Sequence, residues 1–144
     1  MKYTITYKCG HTGTVELFGN ERERARKIAW YSENYDCPEC NAAKREAEAQ
    51  EYALPELVGS EKQVAWAEKI RSKFIAVRKE QERKNANLYA RTQDSEENIE
   101  THKMMFKAFC AEFFGETSAK TWIDRRDSED RFERSFYDYI KKHI

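Results

Sequence analysis

Two short stretches of this sequence, "YKCGHTGTVELFG" at residues 7–19 and "NYDCPECNAAK" at residues 34–44, decide how its N-terminal part folds. Each stretch contains a pair of side chains that can bind a metal ion: Cys9 and His11 in the first, Cys37 and Cys40 in the second. Two residues between cysteines let both sulfurs face one point, and the longer imidazole offsets the tighter spacing of the other pair. Thiolates and imidazole are the ligands of tetrahedral zinc sites. The spacing therefore predicts a closed site of three cysteines and one histidine that binds a structural Zn²⁺.

The residues around the first pair predict a β-hairpin. Residues 3–8 alternate between apolar and polar side chains, which is typical of a strand, and residues 14–18 repeat the pattern. The turn between them contains glycines and the first two ligands. A zinc site would thus lie at the tip of the hairpin.

Helices are predicted for most of the remaining chain. Asn20 and Glu23 form a capping pair, so a helix is expected over 21–34 with the apolar residues Ala25, Ile28, Ala29 and Trp30 on one side. We expect a turn at residues 35–40 and helix-favouring sequence over 41–53. Residues 54–60, with Pro55 and Gly59, read as a linker.

A second capping box predicts the start of a long helix. Ser60 and Gln63 form it, and the helix is expected to reach about Thr92. Its apolar stripe fades beyond Arg78, so the far end is expected to project or to serve as a surface. Three further helical segments follow, the first beginning at Ser95 and the last near residue 128. Their apolar residues include Phe106, Phe109, Phe113, Trp122, Ile123, Phe132, Phe136, Tyr139 and Ile140.

These elements together predict an α+β, mainly α fold. The N-terminal part, residues 1–53, is expected to be a zinc-binding ββα-type module with a zinc-ribbon-like hairpin. Residues 54–144 are expected to form a helical domain, a bundle of about three to four helices.

No catalytic constellation is visible in the sequence. The zinc deaminases carry a carboxylate two residues after the histidine ligand, whereas here Gly13 occupies that position and Cys9 would fill the place of the reactive water. Neither a nucleophile elbow nor a phosphate-binding loop occurs. Cys110 and His102 fall on an apolar stripe and are interpreted as core residues. We therefore expect a protein that is not an enzyme and has no small-molecule substrate.

The charge is balanced overall but uneven along the chain. The sequence has 26 basic and 26 acidic residues, which weighs against a dedicated DNA-binding protein. Residues 71–84 are mainly basic and residues 94–116 mainly acidic. The simpler interpretation is two solvated helix faces; the other is a patch for a charged partner. The residues predicted to bind such a partner are Asp94, Glu96, Glu97 and Glu100.

No signal peptide and no apolar run long enough to span a membrane is apparent. We expect a protein that is cytoplasmic in a bacterial host and does not bind a membrane. In a reducing compartment its cysteines favour metal binding or packing over disulfides.

Three stretches together suggest a family: "CGHTG … CPEC", "LPELVGSEKQVAWAEKIRSKFI" and "ETSAKTWIDRR". The combination resembles small zinc-ribbon-like proteins of Gram-positive bacteria, their phages and mobile elements, and the likeness extends over most of the chain. The resemblance implies the same four metal ligands and no activity. Proteins of this kind include type II-A anti-CRISPR proteins, which inhibit Cas9.

Two functions are left open by the sequence. The first is a non-enzymatic interaction protein whose partner is a protein, in the sharpest form a Cas9–guide RNA complex whose DNA loading or activation it blocks. A Cas9-type effector has a strongly basic channel that the acidic segment would face. The second is a nucleic-acid-binding regulator of a phage or mobile element, which would contact phosphates through Arg22, Arg24, Arg26 and Lys27.

Overall fold

The computed structural model describes residues 1–143. Within them the chain is mainly helical, with a two-stranded antiparallel hairpin at the N-terminus, which confirms the predicted α+β, mainly α class. The chain forms two compact units: unit 1, Met1–Ala47, and unit 2, which begins at Glu48. The expected domain boundary after residue 53 stays a prediction. None of the helices in residues 1–143 combines the length and apolar character that crossing a membrane requires.

Both strands of the unit 1 hairpin begin one or two residues earlier than the sequence pattern suggested. Strand β1, Lys2–Thr6, pairs with β2, Thr12–Glu16, in a register that places Tyr3 opposite Val15. Ile5, Tyr7 and Leu17 are buried, the last two just outside the strands. The hairpin therefore has one covered face, and its tip is the loop that holds the first ligand pair.

Helix α1 and most of helix α2 complete unit 1. Helix α1, Glu21–Asn34, begins with the predicted capping box, in which Asn20 accepts from the Glu23 N–H at 2.9 Å. Helix α2, Pro38–Glu51, starts three residues earlier than the sequence indicated. The predicted turn at 35–40 is therefore partly the first turn of a helix.

The predicted apolar side of α1 is not buried. Ala25, Ala29 and Trp30 are exposed, and only Ile28 and Tyr31 pack partly against the small core of unit 1. The two-stranded hairpin offers a surface too narrow to cover a whole helix face.

Unit 2 is a helical bundle. Its elements are α3 (Glu61–Arg91), α4 (Glu96–Phe114), α5 (Ala119–Asp124), a 3-10 turn (Glu129–Arg131) and α6 (Phe132–His143). The second predicted capping box is present, since Ser60 accepts from the Gln63 N–H at 3.2 Å. The last helix begins at Phe132 because the charged residues before it form the 3-10 turn.

Aromatic side chains fill the core of unit 2. Phe74, Trp122, Phe132 and Phe136 are each at most 1% exposed. The Phe74 and Trp122 rings lie 5.8 Å apart between centroids, and the indole N–H donates to the Glu116 carbonyl at 3.0 Å. The residues that the sequence placed on apolar helix faces thus converge in one cluster.

The far end of α3 does not project freely, because one of its sides is packed; its other side is exposed, and its use as a surface stays a prediction. Gln81 and Asn85 are buried and share a hydrogen bond of 2.9 Å between Gln81 Nε2 and Asn85 Oδ1. One turn later, the Tyr89 hydroxyl contacts His102 Nδ1 on α4. A polar pair whose members are hydrogen-bonded to each other can be buried at little cost in free energy. Helix α3 therefore stays packed beyond the end of its apolar stripe.

Candidate metal centre

The hairpin loop presents the first ligand pair through a tight turn. The Gly10 N–H donates to the Tyr7 carbonyl at 2.9 Å, and the Tyr7 N–H donates to the His11 carbonyl at 2.8 Å. Gly10 has φ +90°, a conformation that residues with a Cβ rarely adopt. Glycine therefore allows Cys9 and His11, one residue apart, to point toward the same place.

The second pair lies at the N-terminus of α2. Cys37 precedes the helix, and its Sγ accepts from the Cys40 N–H at 3.3 Å, as an N-cap side chain does. Pro38 is the first residue of the helix. A backbone N–H at this position has no partner within the helix, so proline loses no hydrogen bond there. Both sulfurs lie at the positive end of the helix dipole, which favours the negative charge that a sulfur would carry when bound to a metal ion.

Backbone contacts join the two pairs. The Lys8 N–H donates to the Tyr35 carbonyl at 2.9 Å, and the Cys37 N–H donates to Cys9 Sγ at 3.3 Å. Residues that are distant in sequence are thereby fixed side by side, before any ion is considered.

The four ligand atoms lie within 4.8 Å of one another and could hold a metal ion. Nδ1 of His11 lies 3.3 Å from Sγ of Cys9, 3.6 Å from Sγ of Cys37 and 3.3 Å from Sγ of Cys40. Tetrahedral zinc with ordinary bond lengths places a sulfur and a nitrogen about 3.6 Å apart. One imidazole nitrogen can share a proton with only one thiol, so hydrogen bonding does not explain three such contacts. The arrangement fits zinc bound through Nδ1.

The thiols of the cluster differ in how readily they lose a proton. The backbone N–H of Cys37 holds the pKa of Cys9 down to about 6, whereas hydrogen bonding to the Cys37 sulfur raises the pKa of Cys40 to about 12. Like charges this close oppose one another, so the cluster by itself does not favour three thiolates. A divalent cation bound there would offset that opposition and favour the deprotonated form of all three thiols.

Four protein ligands would complete a tetrahedron and leave no position for a reactive water. Cys37 is buried, Cys9 and Cys40 are partly buried, and His11 is exposed. Such a closed site holds chain segments together and lacks the open coordination position of catalytic zinc.

The predicted partner-binding acids lie together around the start of α4, but they differ in their contacts. Asp94 accepts from the Ser95 N–H at 2.9 Å and from Asn98 Nδ2 at 2.7 Å, and the bond from Asn98 lowers its pKa. Glu100 pairs with Lys103 at 3.3 Å. Glu96 and Glu97 are exposed in the first turn. Their role in binding a partner stays a prediction.

The basic stretch of α3 is engaged largely within unit 2. Arg71 is buried and donates to the Pro55 carbonyl at 2.7 Å, while the guanidinium of Arg78 lies 4.6 Å from the Tyr52 ring centre. Arg83 forms an ion pair with Glu80. These contacts favour a structural interpretation of the stretch over a binding patch.

Two other residues lie where the sequence placed them. Cys110 is 1% exposed, and burial raises its pKa to about 11, as expected of a core thiol. His102 is partly buried against Phe136 and Tyr89, well away in sequence from the metal-binding residues.

One surface was missed by the sequence analysis, which placed Trp30 on the apolar side of the helix over 21–34 and drew no conclusion from it. The Trp30 side chain is 50% exposed and stacks on Tyr35. Arg26 and Lys27, four and three residues before Trp30, were the signal that could have shown a solvent-facing helix side.

Comparisons with protein-family models, with curated proteins and with solved structures each found no match. The function is therefore inferred from the residues of this chain.

Proposed function

We propose that this chain is a zinc-binding, non-enzymatic interaction protein. Its Zn²⁺ is structural and is bound by Cys9, His11, Cys37 and Cys40. The observation that supports this most directly is the convergence of three sulfurs on one imidazole nitrogen at 3.3–3.6 Å.

The size of unit 1 explains why it would need a metal ion. Its buried cluster consists of Ile5, Tyr7 and Cys37, with partly buried side chains around them. A domain of under about 50 residues seldom buries enough apolar surface to fold alone, and a structural metal is a common remedy. Zinc bound to the folded state contributes its binding free energy to folding.

Cobalt titration tests the metal site. Co²⁺ in a tetrahedral site with three thiolates gives strong visible absorption, and zinc added afterwards should displace it at one ion per chain. His11→Ala should weaken the absorption and shift it, whereas His102→Ala, in unit 2, should leave it unchanged. A featureless spectrum with the wild-type chain would show that the four residues do not bind a tetrahedral metal.

The partner that we propose is a protein, and in the most specific form a Cas9-type effector loaded with guide RNA. Such an effector has a basic channel for nucleic acid, and an acidic surface placed there would block DNA loading or activation. Glu96 and Glu97 support this proposal because both are exposed at the start of α4. Of the four predicted acids, they lack the local contacts made by Asp94 and Glu100.

Binding to the purified effector–guide complex tests this part. Glu97→Lys should weaken binding severalfold, more so at low salt, because opposite charges across an interface mainly accelerate association. Glu61→Lys is a matched control, since Glu61 is exposed in the first turn of α3. Equal binding by both variants would exclude this acidic surface, and no binding by the wild-type chain would exclude this partner.

A second candidate function is nucleic-acid binding by unit 1. Arg22, Arg26 and Lys27 are exposed on α1 and available for phosphate contacts. Arg24, the fourth predicted contact, is partly buried and donates to the Gly19 carbonyl at 3.1 Å. The observation that favours this function is an exposed aromatic pair beside these cations.

A further inference from the structure

Unit 1 carries an aromatic surface that the metal centre does not use. We define it by Trp30 of α1 and Tyr35, which follows the helix. Their rings are stacked, with centroids 5.9 Å apart and planes inclined by 26°. Tyr31 meets both rings edge-on, at 5.2 Å from Trp30 and 5.7 Å from Tyr35. The pair is therefore held in a defined orientation.

This surface is open to solvent. Trp30 is 50% exposed and Tyr35 is 37% exposed, although Trp30 contacts two aromatic neighbours and Tyr35 contacts three. A single half-exposed tryptophan is not unusual, but Trp30 also stacks on a second exposed aromatic ring, that of Tyr35. The exposed ring surface can accept one more flat ring.

Basic side chains flank the aromatic surface. Arg26 and Lys27 lie one helical turn before Trp30 and thus on the same side of α1, and both are exposed. Lys8 is exposed in the hairpin loop, where its backbone N–H is bonded to the Tyr35 carbonyl. Glu33 lies about one helical turn after Trp30 and is the acidic residue nearest to it on that side of α1. The two cations, Arg26 and Lys27, therefore exceed the one neighbouring carboxylate.

We propose that this surface binds single-stranded nucleic acid. An unpaired base would stack on Trp30, and Arg26, Lys27 and Lys8 would contact the adjoining phosphates. Stacking platforms with cationic borders bind single strands without requiring a particular sequence. A duplex hides its base faces, so it offers no ring that could stack on Trp30.

The inference rests on the proposed zinc-binding function. Lys8 belongs to the hairpin loop with Cys9 and His11, whereas Tyr35 precedes Cys37. Zinc would hold these two segments together and so keep the cation beside the aromatic pair. The full, zinc-loaded chain is accordingly the form to test.

Fluorescence anisotropy with a labelled single strand of about 12 nucleotides of mixed sequence provides the measurement. Trp30→Ala should weaken binding on the order of tenfold, the usual effect of losing one stacked base. Trp66→Ala is a matched control, because Trp66 is 49% exposed on α3 of unit 2 and should leave the affinity unchanged. The duplex of the same sequence should bind more weakly than the single strand.

The phosphate contacts are tested separately by salt. Replacing both Arg26 and Lys27 with Ala should lower the affinity and reduce the slope of log K against log salt by about 0.7 for each phosphate that the protein no longer neutralises. These side chains are exposed, so the double variant should fold even if Trp30→Ala does not.

Three results would overturn the inference: no binding of the single strand at low salt, equal losses from Trp30→Ala and Trp66→Ala, or duplex binding as tight as single-strand binding. Zinc content and the melting curve are measured for each protein. A wild-type chain that binds zinc but no single strand would refute the nucleic-acid inference and leave the zinc proposal intact.

Discussion

Unit 1 buries Ile5, Tyr7 and Cys37 as its cluster, and one of these three is itself a predicted metal ligand. Unit 2 buries a continuous aromatic core in which Phe74, Trp122, Phe132 and Phe136 are almost completely enclosed. Two ways of stabilising a fold therefore occur in one chain. The contrast teaches that the helical unit can rely on apolar burial, whereas the hairpin unit depends on its proposed metal ion.

The strongest test of this contrast is removal of a ligand. Cys37→Ser should abolish tight zinc binding and unfold unit 1, because the apparent binding free energy of a structural zinc is about 10–16 kcal/mol. Unit 2 should keep its melting temperature. Zinc analysis and amide hydrogen exchange would measure the two effects.

Cys110→Ala serves as the control for ligand removal, since Cys110 is a buried cysteine of unit 2. It should retain zinc and lose only a little stability. Zinc retention by Cys37→Ser, with unit 1 still protected from exchange, would contradict the structural role of the metal.

The converse experiment creates a cavity in unit 2. Trp122→Ala should reduce the free energy of unfolding of unit 2 by about 3–5 kcal/mol, since the indole is completely buried and its N–H is bonded. Zinc binding by unit 1 should persist. Chemical denaturation followed by circular dichroism, with zinc analysis in parallel, would measure both; loss of zinc would contradict the separation of the two stabilities.

A smaller effect is expected from a steric change beside the metal centre. A Cβ on Gly13 would lie 2.7 Å from Cε2 of the buried Tyr7 ring, which would have to shift. Gly13→Ala should therefore cost about 1–3 kcal/mol and weaken zinc binding. Competition with a chromophoric chelator would measure the affinity. A wild-type affinity would show that the Tyr7 ring can move without disturbing the site.

The smallest expected effects come from the two capping boxes, one in each unit. Asn20→Ala and Ser60→Ala each remove a side-chain acceptor from the N-terminus of a helix, at a cost of about 1 kcal/mol. Asn20→Ala should lower the zinc affinity, whereas Ser60→Ala should lower only the melting temperature of unit 2. Equal responses in both measurements would indicate that the two units unfold together.

Local signals in the sequence predicted much of this fold. The capping pairs at Asn20 and Ser60 begin the helices where expected, because these side chains interact only with backbone a few residues away. The helical periodicity of Phe106, Phe109, Phe132 and Phe136 likewise identified residues of one core. The predicted helix boundary was less accurate near Pro38, because part of the turn expected at residues 35–40 is the first turn of α2.

Errors arose where burial depended on distant residues. The sequence could not show that Gln81 and Asn85 would pair in a buried position, or that Trp30 would stay exposed. Hydrophobicity alone assigns a tryptophan to the core and an asparagine to the surface. Whether either side chain is buried depends instead on the residues that pack against it.

The sequence by itself determined the ligand chemistry of the candidate metal centre, since three thiols and one imidazole are the kinds of ligand that zinc takes in proteins. Only the tertiary structure decided that the two pairs meet, through the bonds from Lys8 to Tyr35 and from Cys37 to Cys9. It also left the ring of Trp30 open beside Arg26 and Lys27. The physical reason is that ligand chemistry belongs to single side chains, whereas convergence and exposure depend on residues distant in the chain.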